Sequence, residues 1–428
     1  MLRYLYSLLL LLAVPFIILR LYLKSMASPG YRERIGERFG SGKAPATINN
    51  AHQVIWIHAV SVGETVAAVP LVKAIKENED VAVVFTTTTP TGAERARALL
   101  GDTVHHQYAP YDLGFVIRRF LNKFDPGLLI IMETELWPNT VHYCHQRGVK
   151  ILLANARMSE KSAKGYQRFG SMTKDMLQSI DLIAAQSEPD QQRLLELGAK
   201  LDKTRITGSL KFHINAAAEQ AMPAPIFQSV ADSNRPVVIA ASTRTKEGEA
   251  EEKKVLDAWR QLSGNFDKPL LLLVPRHPER FGEVAELCRK AGWSVQRRSE
   301  AEQLNADTDI LIGDSMGELL AYYGLADIAF VGGSLVDTGC QNVLEPAAMG
   351  VPVLTGPSQF NFQAICEQLE QARALQTVAD SNALAGAISQ LLADEDKRKQ
   401  MGEAGKNLVA ANQQALPQLT AMVAELLS

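Results

Sequence analysis

The run Trp56-Ile57-His58-Ala59-Val60-Ser61-Val62-Gly63-Glu64-Thr65 passes from an apolar strand through a Ser-x-Gly turn into a helix. Glu64 then falls in the first helical turn, where the helix dipole favours a carboxylate and is expected to keep it ionised. Two roles suit it. It is either a first-turn Glu that caps the helix or a general base that takes a proton from an acceptor hydroxyl, an effect of about 10²–10⁴-fold in rate. Gly63 removes a side chain where a substrate would approach, which favours the base. Glu133-Thr134-Glu135-Leu136-Trp137-Pro138 follows a second buried run. A carboxylate at a strand's C-terminal end with an aromatic behind it suits a polyhydroxyl substrate, and Glu133 is the better candidate because Glu135 is placed to begin a helix. Lys211, in Gly208-Ser209-Leu210-Lys211-Phe212, is a cation available to an anionic sugar or a phosphate, although an isolated loop lysine is usually only solvated.

A second group of motifs lies downstream. Gly332-Gly333-Ser334 ends an apolar strand, Asn342-Val343-Leu344-Glu345-Pro346 opens a helix, and Gly350-Val351-Pro352 stops it before another strand. In open α/β sheets ligands sit outside the carboxyl ends of the strands, where glycines let backbone approach phosphate and an acidic residue reads a ribose diol. This order therefore points to a nucleotide-sugar site. Pro275-Arg276-His277-Pro278-Glu279-Arg280 offers arginine for bidentate phosphate contact. Asp314-Ser315-Met316-Gly317-Glu318 supplies backbone N–H groups and a further acidic reader, and Ala241-Ser242-Thr243-Arg244 does the same at another strand end. Asp307-Thr308-Asp309 has the Asp-x-Asp spacing of metal-dependent transferases, but it precedes a strand and reads as a turn. Neither Gly-x-Gly-x-x-Gly nor Gly-Lys-Ser/Thr occurs, which lowers the dehydrogenase and NTPase readings.

The elements that must position these residues are legible as continuous apolar runs: Val54–Ile57, Val81–Thr86, Leu128–Met132, Ile151–Leu153, Leu182–Ala185 and Arg205–Thr207, then Val237–Ala240, Leu270–Val274, Ile310–Gly313, Ile328–Val331 and Val353–Leu354. Continuous rather than alternating apolarity means strands covered on both faces, hence parallel sheets wrapped by helices. The expected architecture is α/β, two Rossmann-like domains facing a central cleft: an N-terminal anchor over 1–24, a first domain over 25–218, a Pro- and Ser-rich linker over 219–235, and a second domain over 236–428 whose last helix packs back on the first.

At 428 residues two domains are the default, and a net charge of −3 excludes a strongly basic nucleic-acid binder. Cys144, Cys288, Cys340 and Cys366 are scattered, without metal-ligand spacing. From Tyr4 to Leu23 the chain is almost wholly apolar, long enough at about 30 Å to cross a bilayer core. Arg32, Arg34 and Arg38 behind it form a basic collar, and the positive-inside rule then puts the body in the cytoplasm.

These motifs, with Tyr31-Arg32-Glu33-Arg34 and Glu37-Arg38-Phe39-Gly40, resemble the 3-deoxy-D-manno-octulosonic acid (Kdo) transferases of lipopolysaccharide assembly, inverting glycosyltransferases of the GT-B fold. The resemblance implies transfer of Kdo from CMP-Kdo to the lipid A precursor (lipid IVA) at the inner membrane, with no metal or other cofactor. It implies Glu64 as base, Glu133 and Lys211 supporting the transition state, and Pro275, Arg276, Met316, Gly317, Glu318 and Asn342 to Glu345 holding CMP. Three positions depart from the family pattern: Cys340-Gln341 before Asn342, His213 after Lys211-Phe212, and a longer interval from Ser242 to Gly248-Glu249. A titrating His213 is expected to steepen the pH dependence near neutrality. The alternatives are a GT-B transferase using a UDP-sugar and another lipid acceptor, a sugar-nucleotide epimerase of the same fold, and a non-catalytic nucleotide-binding scaffold.

Overall fold

Two sets of apolar runs build two seven-stranded sheets in the computed structural model, which describes residues 2–27, 29–49, 51–78, 80–213, 225–262 and 266–428. The chain divides into unit 1, Met1–His213 with Asn412–Ser428, and unit 2, Ile214–Ala411.

In unit 1 the strands are β1 (Gln53–His58), β2 (Val81–Thr87), β3 (His105–Tyr108), β4 (Leu128–Met132), β5 (Lys150–Ala156), β6 (Leu182–Ala185) and β7 (Thr204–Ile206). They pair in parallel in the order β3-β2-β1-β4-β5-β6-β7. Side chains alternate between two cores, one per face. Trp56, Leu129, Ile131, Ile151 and Leu153 fill one face, and Ile55, Ile57, Ile130, Leu152 and Phe85 the other. The strand order reverses between β1 and β4, the switch point at which open sheets leave a crevice for ligand. The Ala415–Leu427 helix completes the second core with Leu419, Met422 and Val423, and its Glu425 pairs with Arg205 at 2.7 Å.

Unit 2 carries β8 (Val237–Thr243), a short antiparallel hairpin of β9 (Thr245–Lys246) and β10 (Glu249–Ala250), then β11 (Leu270–Pro275), β12 (Val295–Arg297), β13 (Ile310–Ile312), β14 (Ile328–Val331), β15 (Val353–Thr355) and β16 (Leu375–Thr377). The large sheet runs β12-β13-β11-β8-β14-β15-β16, again parallel, with its switch point between β8 and β14. The hairpin is the extra length between Ser242 and Gly248-Glu249.

Several expectations need correction. Strands β3, β12 and β16 lie at sheet edges; half covered, they need no continuous apolar run and so carry no such signal. Residues 219–224 of the expected linker fall outside the described residues, but Pro225–Asp232 is a helix that buries Ile226, Phe227 and Val230 in the unit 2 core. Each large side chain buried there contributes about 2 kcal/mol, so this segment is part of the domain. Arg38 is no member of a basic collar. It is only 3% exposed, its guanidinium lies 4.1 Å from the Tyr108 ring centroid, and Nη1 donates to the Thr88 carbonyl.

Candidate functional site

In unit 1 the site forms where β1 and β4 end. Ser61 caps the Val62–Lys76 helix: its Oγ accepts from the Glu64 N–H at 3.2 Å and donates to Glu64 Oε1 at 2.7 Å. The Val60 N–H donates to Glu64 Oε2 at 2.8 Å. Glu64 is therefore capping residue and base candidate at once, in a reciprocal Ser-x-x-Glu box. Each carboxylate oxygen keeps a lone pair beyond the hydrogen bond it accepts. At 6% exposure, burial pushes the Glu64 carboxyl up to about 7, with Glu135 and Glu133 adding to the rise against the Ser61 and Val60 hydrogen bonds. This corrects the expectation that the helix dipole keeps Glu64 firmly ionised. Desolvation wins, and it sets a proton affinity matched to work near neutral pH.

Glu133 leaves β4 with φ +54, a left-handed conformation uncommon for a residue with a side chain. Its N–H is held by the Ala154 carbonyl at 2.9 Å. Its Oε1 lies 3.2 Å from Lys211 Nζ, both side chains partly open to solvent. Lys211 is brought there by Asn155 at the end of β5, itself at φ +53, whose Oδ1 accepts the Leu210 N–H at 3.0 Å. Glu64, Glu133 and Lys211 are thus gathered on one sheet edge. Backbone strain of this kind concentrates at functional sites.

Glu135 does not begin a helix. It accepts from Trp137 Nε1 at 3.2 Å, and the next helix starts at Pro138. His58 was missed as a contributor. It packs edge-on to Trp137 with ring centroids 4.5 Å apart, and burial pushes its pKa down to about 3, so it is a neutral buried support for Trp137. Burial also lowers the pKa of His213, which works against the steeper pH dependence near neutrality expected of it.

In unit 2 the expected nucleotide residues all leave the carboxyl edge of the sheet. Pro275 is buried at the end of β11, and Arg276 beyond it is exposed while its N–H bonds the Thr243 carbonyl at 3.0 Å. Gly317 adopts φ +83 in the turn after β13, and Met316 is 66% exposed. Glu318 is already engaged by Arg298 at 2.7 Å and by the Ser315 hydroxyl. Asn342 accepts the Leu344 N–H at 3.1 Å and donates to Glu345 Oε1 at 3.0 Å, so it orients Glu345 at the start of the Leu344–Ala348 helix. Val343 and Leu344 are fully buried; only their backbone can meet a ligand. Cys340 is buried too, its sulfur 3.8 Å from that of Cys366.

The glycine turn after β14 departs from expectation. The N–H groups of Gly333, Ser334 and Leu335 donate to the Glu251 carboxylate at 2.6, 3.0 and 2.9 Å, and that of Arg244 at 3.1 Å. A Cβ on Gly332 would stand 2.6 Å from the Thr243 Cα. The glycines here admit the protein's own backbone and carboxylate rather than a phosphate. Next in sequence, fully buried Glu252 receives Arg280 at 2.9 and 2.8 Å and the Thr243 hydroxyl at 2.6 Å, which removes Arg280 from the pool of phosphate cations. Sequence reading missed both acids, although two glutamates opening an amphipathic helix (Glu251–Leu262) beside a strand end were a usable signal. Asp307 pairs with Lys268, and Asp309 caps the Ser294 N–H. Among the described residues no group of three or more His, Cys, Asp or Glu is placed to hold a metal ion.

Comparison with known proteins decides the family. The family described as 3-deoxy-D-manno-octulosonic-acid transferase (kdotransferase) matches residues 33–214, and glycosyl transferases group 1 matches 229–408. The 3-deoxy-D-manno-octulosonic acid transferase of Haemophilus influenzae is 42% identical over 420 residues, 97% of each chain. This chain belongs to the Kdo transferase family. The Bordetella pertussis transferase is 36% identical over 384 residues, 88% of this chain and 87% of that one. Crystal structures of a glycosyltransferase from Rickettsia africae (18% identity, TM-score 0.55, 89% of this chain and 99% of that one) and of UDP-GlcNAc 2-epimerase from Neisseria meningitidis (12%, 0.55, 88% and 99%) share the fold. The Kdo transferase is thus a glycosyltransferase with two parallel-sheet α/β domains of the GT-B type. Its fold alone does not separate transfer from epimerisation; the sequence identity to named transferases does.

Proposed function

We propose that this Kdo transferase moves Kdo from CMP-Kdo to a hydroxyl of the lipid A precursor (lipid IVA), with inversion at the anomeric carbon and Glu64 as base. The observation that carries the reading is the buried Glu64 carboxyl, raised to about 7 beside the Glu133–Lys211 pair. In the step, the acceptor oxygen bonds to the anomeric carbon as the bond to the CMP phosphate breaks. The acceptor proton passes to Glu64, and the electron pair leaves with CMP. A good leaving group asks the protein chiefly for a base, orientation and cationic stabilisation. Lys211 faces the charge of the sugar carboxylate, while Arg276 and the backbone N–H groups at Gly317 and Asn342 to Glu345 meet the nucleotide. In this reading those cations do the work of a metal, and activity persists in chelator.

The Leu2–Met26 helix, long and apolar enough to enter a membrane, supports attachment to the inner membrane with the catalytic units on the cytoplasmic side. The test is transfer from CMP-Kdo, generated in situ, to detergent-solubilised tetraacylated precursor, for wild type and Glu64→Ala, with products read by mass. Kdo additions by wild type alone, protected by CMP and not by UDP, are expected. A folded wild type that forms no product and is protected by UDP overturns the donor and acceptor assignment.

A further inference from the structure

We propose that the N-terminal helix lies in the plane of the membrane surface, docked along unit 1, rather than crossing the bilayer. The inference rests on the membrane attachment proposed above and concerns its geometry. The helix spans Leu2–Ala27, 26 residues or about 39 Å.

Its first turns are tied to the body of unit 1. Arg3 Nη1 donates to Asn139 Oδ1 at 3.0 Å, Ser7 and the Asn139 side chain lie within 2.9–3.1 Å of each other, and the Tyr6 hydroxyl bonds the Asp112 carboxylate. Asn139 and Asp112 are buried, and Asp112 also receives the Asn139 and Thr140 N–H groups at the start of the Pro138–Gln146 helix. Its last turns are held by the residues that directly follow the helix in the chain. Arg32 Nε donates to Ser25 Oγ at 2.6 Å and stacks on Tyr22 at 4.9 Å, and Lys24 lies 5.3 Å from the Tyr31 ring centroid.

From Arg3 to Ser25 the helix advances about 33 Å, close to the roughly 30 Å of a hydrocarbon core. A crossing helix would put its first turn on the far side of the membrane from the rest of unit 1, yet Arg3, Tyr6 and Ser7 are held by Asn139 and Asp112 of that unit. To cross, the helix would have to give up the contacts of Arg3, Tyr6 and Ser7 with buried Asn139 and Asp112.

The remaining face is apolar and open. Leu5, Leu8, Leu12, Phe16, Leu19 and Leu23 recur every three or four residues along one stripe, all more than 50% exposed, with Phe16 at 73%. A contiguous stripe of that length is not left in water. Cations flank both of its ends. Arg3 and Arg118 sit against the Tyr143 ring at one end, and Arg20, Lys24 and Arg32 stand at the other. Charge at both ends, with an apolar stripe between, matches a helix sunk to the headgroup boundary of a leaflet containing anionic phospholipid.

The experiment uses the full chain with an epitope ahead of Met1, expressed in a Gram-negative host. Protease is added to intact spheroplasts and to inside-out vesicles. The epitope is expected to survive in spheroplasts and to be removed from inverted vesicles, with the protein sedimenting with membranes in both. Removal from the outside of spheroplasts overturns the in-plane helix while leaving membrane attachment standing; recovery in the soluble fraction overturns both. As a second reading, Leu12→Glu combined with Phe16→Glu should shift the protein toward the soluble fraction by about tenfold or more with its thermal melt retained. Unchanged sedimentation would show that this face does not carry the attachment.

Discussion

Replacing Glu64 with Gln should make this transferase inactive and, at alkaline pH, more stable. The structure gives both directions. The Gln side chain fits the same box: its carbonyl oxygen accepts the Val60 N–H, and its amide donates to Ser61 Oγ, so the cap is kept. What is lost is the proton acceptor, which costs about 10²–10⁴-fold in rate. What is relieved is a buried charge. With the carboxyl raised from 4.5 to about 7 in the folded state, the native form binds a proton more tightly than the unfolded chain between those values. Stability from this group is therefore fully present below about 4.5 and is lost as pH rises through 7. The full difference is about 3 kcal/mol by linkage. A neutral Gln does not lose it, so Glu64→Gln should gain up to about 3 kcal/mol over wild type above pH 8 and little at pH 4.5. At about 2–4 °C per kcal/mol for a unit of this size, the expected rise in melting temperature is about 6–12 °C. Thermal melts of both proteins near pH 5 and pH 8.5, beside the transfer assay, provide the check. A variant destabilised equally at both pH values would refute burial as the cause of the shift, and transfer within tenfold of wild type would refute Glu64 as base.

Four further outcomes are expected. Glu133→Gln removes one of the charges that raise Glu64, so the acid limb of the kcat/KM profile should move to lower pH as the maximum rate falls; an unmoved limb argues against the coupling. Glu251→Gln turns one oxygen, which accepts two of the four backbone N–H groups, into a donor, and should cost about 1–3 kcal/mol for each, read by denaturant melts, together with a higher KM for the donor and an unchanged pH profile. Arg276→Ala should raise the donor KM by about 10–100-fold, the worth of a charge-assisted contact, with no change in melting temperature. His213→Asn should leave the pH profile near neutrality little altered, because burial lowers the pKa of the imidazole; a flattened profile would mean that His213 titrates in the working range.

Local pattern alone determined the parallel α/β character of both domains, since strands such as Leu128–Met132 and Leu270–Val274 are apolar at every position and can only be covered on both faces. It likewise marked Glu64, Glu133, Lys211 and the strand ends of unit 2, because a polar residue just past a buried run has one place to be. Edge strands such as His105–Tyr108 escaped, being half covered and so free to be polar. Tertiary structure decided the rest, and the reason is the same each time: desolvation and pairing depend on what packs around a group, not on its neighbours in sequence. Only the fold shows that Glu64 is lifted toward 7 by burial, that Glu251 fills the glycine turn a phosphate was expected to use, that Arg280 belongs to Glu252 and Arg38 to Tyr108, and that an apolar N-terminus long enough to span a bilayer has its first turns fastened to Asn139 and Asp112 of unit 1.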